Sequence, residues 1–205
     1  MWTATVNGSR AMPSAAMDKH SRDFAGVVLA GGASSRMGRD KALLPWRGRT
    51  LLEEAVRTLT AAGANPVLVS GDRPAYDHVP DVFPGRGPLG GLASVLQQRP
   101  GLKDRILVVT PVDTPGLAPD ALHSLVDSLG HGAAGACFSG HPLPLAVRAD
   151  DRLQEQLQLI LDDDGKTAVH RLKEALTFRV LPAGGRDLAN VNTPEEWQRF
   201  VEVAG

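Results

Sequence analysis

Apolar residues in this chain gather into short continuous runs, separated by polar stretches rich in glycine and proline. Gly26-Val27-Val28-Leu29-Ala30 is the first such run. A strand buried on both faces of a parallel sheet is apolar throughout instead of alternating, so this run predicts a strand. Val67-Leu68-Val69 and Ile106-Leu107-Val108-Val109 predict two more of the same kind. Leu52, Ala55, Val56 and Leu59 recur at helical spacing and predict an amphipathic helix over 51–62, stopped at Gly63. Pro88 suits the first turn of a helix running through Gly91 to Gln98, and Pro119 opens another to Leu129.

The second half is less regular. It predicts strands near 134–138 and 143–147, helices over 151–161 and 168–175, and a strand at 178–181. Thr193-Pro194-Glu195-Glu196 is a capping box with proline at the first helical position, which starts a last helix. Strands alternating with helices imply an α/β fold with a mostly parallel sheet covered on both faces. Ligands of such sheets bind beyond the carboxyl ends of the strands.

Length and composition narrow the picture. A chain of 205 residues suits one sizeable α/β domain. Residues 1–22 show no periodicity and read as a mobile tail, with Met12 and Met17 leaving the natural start open; 23–205 read as a single domain. No segment has the apolar run of a signal peptide or a membrane span. A net charge of −1 argues against a broad nucleic-acid surface, so any polyanion should sit in a local pocket. One cysteine, Cys137, allows neither an intrachain disulfide nor a Cys-based zinc site and fits a reducing cytoplasm.

The polar loop after the first strand, Gly31 to Lys41, has what a triphosphate needs. Gly31 and Gly32 let backbone N–H groups approach phosphate oxygens closely, and Arg36 and Lys41 add two positive charges. Gly38 is followed by Arg39 and Lys41 by Ala42, so this is not a Walker A loop, and no Gly-x-Gly-x-x-Gly is present. Asp113, in Thr110-Pro111-Val112-Asp113-Thr114-Pro115, stands just past the third strand. There it can hold Mg²⁺, which needs only one or two protein carboxylates plus phosphate oxygens; it equally suits a turn before proline. Asp81 precedes Pro84-Gly85-Arg86-Gly87-Pro88-Leu89-Gly90-Gly91, where a carboxylate can accept from guanine N1–H and the 2-amino group, or serve as a loop acid. The helix opening at Pro88 offers free N–H groups. Asn190 and Asn192, two apart on an extended segment, point to one side.

The run Leu29-Ala30-Gly31-Gly32-Ala33-Ser34-Ser35-Arg36-Met37-Gly38-Arg39-Asp40-Lys41-Ala42-Leu43-Leu44 closely resembles the signature of the molybdenum cofactor guanylyltransferases. The segments around Asp81, Asp113 and Asn190-Val191-Asn192-Thr193-Pro194 resemble the same family. The resemblance implies a Rossmann-like three-layer α/β/α nucleotidyltransferase fold. It also implies transfer of GMP from GTP to molybdopterin (Mo-molybdopterin) with Mg²⁺, in the company of other molybdenum cofactor biosynthesis proteins. Carried over by position, Leu29, Ala30 and Gly31 would line guanine and ribose, with Gly32 beside them. Lys41 would touch the phosphates and the reacting centre, Arg36 would steady the outgoing pyrophosphate, and Asp113 would bind the metal. Asp81 would face the base, and Asn190 and Asn192 the acceptor.

Two departures stand out. Val112 replaces a frequent cysteine without touching the carboxylate, and Ser70 replaces a frequent asparagine with a shorter reach to the nucleotide. A cytidylyltransferase of the same pterin tends to have Ala at position 32 and Asp at 190 and 192, so Gly32, Asn190 and Asn192 lean toward guanine. A sugar-phosphate or isoprenoid-precursor nucleotidyltransferase and a non-catalytic nucleotide-binding module remain the other readings. Arg36, Lys41, Asp81 and Asp113 together weigh against the last, since binding alone does not require a metal carboxylate.

Overall fold

A computed structural model describes residues 23–31, 40–130, 132–163 and 169–204, with no side-chain description at 203 and 204. Its centre is a seven-stranded sheet. The first apolar run forms β1 (Phe24–Leu29), followed by a short hairpin of β2 (Pro45–Trp46) and β3 (Arg49–Thr50) and by helix α1 (Leu51–Ala61). Then come β4 (Val67–Ser70), β5 (His78–Val79), α2 (Gly87–Gln98), β6 (Ile106–Pro111) and α3 (Pro119–Ser128). The second half adds β7 (Gly135–Phe138), β8 (Leu145–Arg148), α4 (Asp151–Asp162), α5 (Val169–Ala175), β9 (Phe178–Leu181) and α6 (Pro194–Ala204). The strand order is β5-β4-β1-β6-β8-β7-β9.

β1 sits between β4 and β6, both parallel to it, which is why its sequence is apolar without alternation. Its successive side chains still go to opposite faces. Phe24 and Val28 pack with Leu52 and Leu59 of α1 and Leu122 and Leu125 of α3. Ala25 and Val27 pack with Leu92 and Val95 of α2 and Leu153 and Leu157 of α4. Two cores, one on each side of one sheet, make the three layers that the alternation of strands and helices predicts.

Three features go beyond the sequence reading. β8 runs antiparallel to both β6 and β7. The link from β7 to β8, Ser139 to Pro144, is too short for the crossover that a parallel return requires. β5 is a two-residue edge strand, too brief to leave a pattern. The β2–β3 hairpin turns through Arg47 and Gly48, at φ of 45° and 80°, the positive angles that a two-residue hairpin loop demands.

That hairpin serves α1 and α6 together. Thr50 caps α1 through a reciprocal box with Glu53, satisfying two otherwise orphan N–H groups. Trp46 is buried, and its ring lies 4.7 Å from that of Phe200 and 5.9 Å from that of Trp197, both on α6. Leu44 and Leu51 complete this small apolar cluster, which docks α6 against the segment that follows Lys41. Trp46→Ala should cost about 3 kcal/mol of folding stability, as large-to-small core changes do. A lower urea midpoint at unchanged slope would show it, and an unchanged midpoint would mean that α6 is held elsewhere.

Candidate functional site

The carboxyl ends of β1, β4 and β6 open into a cavity of about 680 Å³, within the range that drug- and cofactor-sized ligands occupy. Leu29, Ala30 and Gly31 line it where β1 ends, Ser70 where β4 ends, and Pro111, Val112 and Asp113 where β6 ends. Asp40 and Lys41 enter from the far side of the loop, and Asp81, Pro84, Gly85, Gly87, Pro88, Gly91 and Leu143 complete the wall. Gly32 and Arg36 lie outside the described residues.

Close backbone packing shapes the floor. The Ala30 N–H donates to the Ser70 carbonyl at 2.9 Å, continuing the β1–β4 ladder past the end of the strands. Gly71 follows with φ of +125°, and a Cβ there would fall 2.9 Å from the Gly31 nitrogen, so only glycine lets the two chains pass. Ser70 is buried beneath α2, and a Cβ on Gly91 would come within 2.8 Å of its hydroxyl oxygen. The small side chain at position 70 therefore matches the close approach of α2. Arg86, the residue before α2, makes no side-chain cap, and of the two residues that open the helix at the cavity wall only Gly87 carries an N–H, since Pro88 has none.

Lys41 opens a single 3₁₀ turn, Lys41–Leu43, capped by Asp40, whose Oδ1 accepts the Ala42 N–H at 3.0 Å. Ala42 is buried and fixes the turn in the core. The Lys41 ammonium donates to Asn192 Oδ1 at 2.9 Å and lies 3.4 Å from Asp113 Oδ2. The segment carrying Asn190 and Asn192 is tied to the same strand end: the Val191 N–H donates to the Asp113 carbonyl at 2.9 Å. Thr114 Oγ1 donates to Asn190 Oδ1 at 3.0 Å. Both asparagines are exposed with Val191 buried between them, the alternation expected of an extended segment. Both stand outside the cavity lining, Asn192 beside Lys41 and Asn190 beside Thr114.

Asp113 dominates the electrostatics. Burial pushes its carboxyl above the usual carboxylate range, and the neighbouring Lys41 ammonium only partly offsets that. Its Oδ1 is buried and has no hydrogen-bond partner. A largely buried carboxylate in the wall of a ligand-sized cavity, with one oxygen left unpaired, fits a divalent cation. Among the described residues no cluster of three or more His, Cys, Asp or Glu side chains could hold a metal by itself. The donor set therefore suits an ion that takes the rest of its ligands from water and phosphate, as Mg²⁺ does.

Asp81 lines the cavity and is also partly committed within the chain. Its Oδ1 accepts the Phe83 N–H at 2.9 Å and lies 3.1 Å from the Ser94 hydroxyl, so that oxygen holds the 81–87 loop in place. Only Oδ2 remains for a base edge, which narrows a two-oxygen contact to one. Three residues to which the sequence reading gave no part in the site also bear on it. Thr114 holds Asn190, Glu196 accepts the N–H groups of Asn192 and Thr193 at 2.6 and 3.2 Å, and Arg73 touches both ends of the loop. The capping box foretold the cap made by Glu196, but not that it positions a lysine partner. Nothing in local spacing signals Thr114 or Arg73.

Comparison with known proteins bears on the family and the fold. Residues 26–177 match the MobA-like NTP transferase domain. A molybdenum cofactor guanylyltransferase of Xanthomonas euvesicatoria pv. vesicatoria (strain 85-10) is 41% identical over 184 residues, covering 88% of this chain and 95% of the relative. The crystal structure of molybdopterin-guanine dinucleotide biosynthesis protein A from Archaeoglobus fulgidus superposes with a TM-score of 0.70 at 18% identity, covering 87% of this chain and 97% of that one. A Mycobacterium tuberculosis H37Rv protein, crystallised as a complex with manganese, gives 0.63 at 20% identity over 88% and 98%. At such identities the two structures establish a shared fold, and the sequence match establishes kinship: this chain belongs to the MobA-like NTP transferase family.

Proposed function

We propose that this protein transfers GMP from GTP to molybdopterin (Mo-molybdopterin), releasing pyrophosphate, with Mg²⁺ as its metal. The observation that carries the reading is the meeting of Lys41, Asn192 and Asp113 at the mouth of a cavity floored by Leu29, Ala30, Gly31 and Ser70. The guanylyltransferase named among its relatives supplies the chemistry that such a site would perform. The nucleoside would rest on the β1 and β4 ends, with Asp81 Oδ2 toward the base. The phosphates would run along the Gly31–Lys41 loop, where Gly32 and Arg36 belong to the phosphate-binding set and Arg36 steadies the pyrophosphate.

A terminal phosphate oxygen of the acceptor attacks the α-phosphorus. The bond from that phosphorus to the oxygen bridging to the β-phosphate breaks, and the electron pair leaves with pyrophosphate. The acceptor phosphate is already anionic, so no general base is required. The work left to the chain is positioning and charge neutralisation. Lys41 places its ammonium on the phosphates, and Asn190 and Asn192 border the side from which the acceptor approaches. Asp113 would hold Mg²⁺, which supplies charge neutralisation on phosphate oxygens when bound. Asp40 is paired with Arg73, so the described lining otherwise offers Asp81 and Asp113 against Lys41.

We assign this work to residues 23–205 as one domain operating in the cytoplasm, which the single, buried Cys137 supports. No described helix is long and apolar enough to cross a membrane.

Offered each of the four triphosphates with Mg²⁺ and molybdopterin, the protein should release pyrophosphate with GTP alone. Release with CTP alone would reassign the base, and none with any nucleotide would overturn the reading. Lys41→Ala should lower kcat on the order of 10²–10³-fold, the usual cost of one lost transition-state donor. The Asp113→Asn variant separates stability from activity. Because the folded carboxyl titrates above its unfolded value, the stability of its protonated form at low pH is lost as pH rises through the folded pKa. Removing the charge should therefore leave the metal-free protein at least as heat-stable at neutral pH. Its turnover should fall about 10²-fold or more and not recover on Mg²⁺ titration. A wild-type Mg²⁺ titration in that variant would refute the metal assignment.

A further inference from the structure

Arg73 lies three residues past the end of β4, outside the cavity lining, and yet it touches the loop at both of its ends. One nitrogen, Nη2, donates to the Ala30 carbonyl at 3.2 Å, where the loop leaves β1, and pairs with Asp40 Oδ2 at 2.6 Å, where the loop returns. The guanidinium is largely enclosed, its side chain only 21% exposed, and its Nε is buried with no partner. Its own backbone is fixed as well. The Gly71 N–H donates to the Val79 carbonyl at 2.9 Å, and the Arg73 carbonyl accepts the Tyr76 N–H at 2.9 Å.

The contact continues directly to the reacting end of the site. Asp40 spends one oxygen on Arg73 and the other on the Ala42 N–H, so its carboxylate sets the orientation of the turn that begins at Lys41. Lys41 in turn reaches Asn192 and Asp113. We propose that Arg73 is a positioning residue for nucleotidyl transfer: it clasps the two ends of the phosphate loop and so fixes where the Lys41 ammonium stands. Lysine cannot substitute, because it lacks the planar nitrogen that aims two N–H groups in set directions. Ala30 and Asp40, the two ends, are then held by a side chain and not by the sheet alone.

The proposal rests on the transferase reading, and its test keeps the two apart. Arg73→Lys, Arg73→Ala, Asp40→Asn and the Arg73→Ala/Asp40→Asn double variant are assayed for kcat and for KM toward GTP, with Mg²⁺ and molybdopterin present. The same proteins, without substrate, are treated with acetic anhydride, and acetylation of Lys41 is read by mass spectrometry against the distant, exposed Lys103. Thermal melting checks the fold of each.

The expected result is a fall in kcat on the order of 10²-fold in Arg73→Ala, as for misplacement of a reacting group, with little change in KM. Lys41 should acetylate severalfold faster while Lys103 does not change, Arg73→Lys should fail to restore kcat, and the double variant should lose no more than either single change. Unchanged Lys41 acetylation in folded variants overturns the proposal, whatever happens to kcat, and so does full rescue by Arg73→Lys. If Arg73→Ala does not fold, Asp40→Asn removes the same contact from its other side and decides alone. If the wild-type protein transfers no nucleotide, the transferase reading fails, while the acetylation comparison still judges the clasp.

Discussion

A carboxylate drawn out of water at the end of a central strand has to be compensated, and the arrangement around Asp113 follows from that need. Desolvation outweighs the attraction of the Lys41 ammonium 3.4 Å away, so the group is left under-compensated, with one oxygen bonded to nothing. Such a residue is poor for stability and well suited to binding a cation. The strand supplies the support: β6 is paired on both sides, and Asp113 stands two residues past its end.

The partners of Asp113 come from loops, and each loop is fastened at more than one point. Lys41 sits on a turn capped by Asp40. Asn192 sits on a segment bonded through Val191 to the backbone of Asp113 itself and held from below by Glu196. The wall opposite is set by glycine: Gly71 lets two strand ends pass in contact, and Gly91 lets α2 descend onto Ser70. Small residues thus define the volume, and charged residues at its rim define what it can hold.

The buried strands were legible because each is apolar on both faces, and the helices because their stripes have the right period. The antiparallel β8 was not, since direction leaves no mark in a run such as Leu145-Ala146-Val147 and shows only in the shortness of the link before it. Two-residue strands such as β2 and β5 are too brief for any periodicity. At the site, Lys41 and Asp113 could be singled out because their chemistry is written into local order: a glycine loop, a strand end. Thr114 and Arg73 could not, because what matters about them is a partner far along the chain, Asn190 in one case and Ala30 with Asp40 in the other. Asp81 was found by its motif, but its commitment to Phe83 and Ser94 required coordinates.

The docking of α6 on the β2–β3 hairpin has a consequence for biosynthesis. Lys41 and Asn192 are 151 positions apart, and the helix that steadies Asn192 is anchored by Trp197 and Phe200 on Trp46. A ribosome emitting this polypeptide can release a sheet with most of its strands in place long before that anchor emerges. The charged rim is complete only when this last described helix has docked, because the segment that it steadies brings Lys41 its amide acceptor.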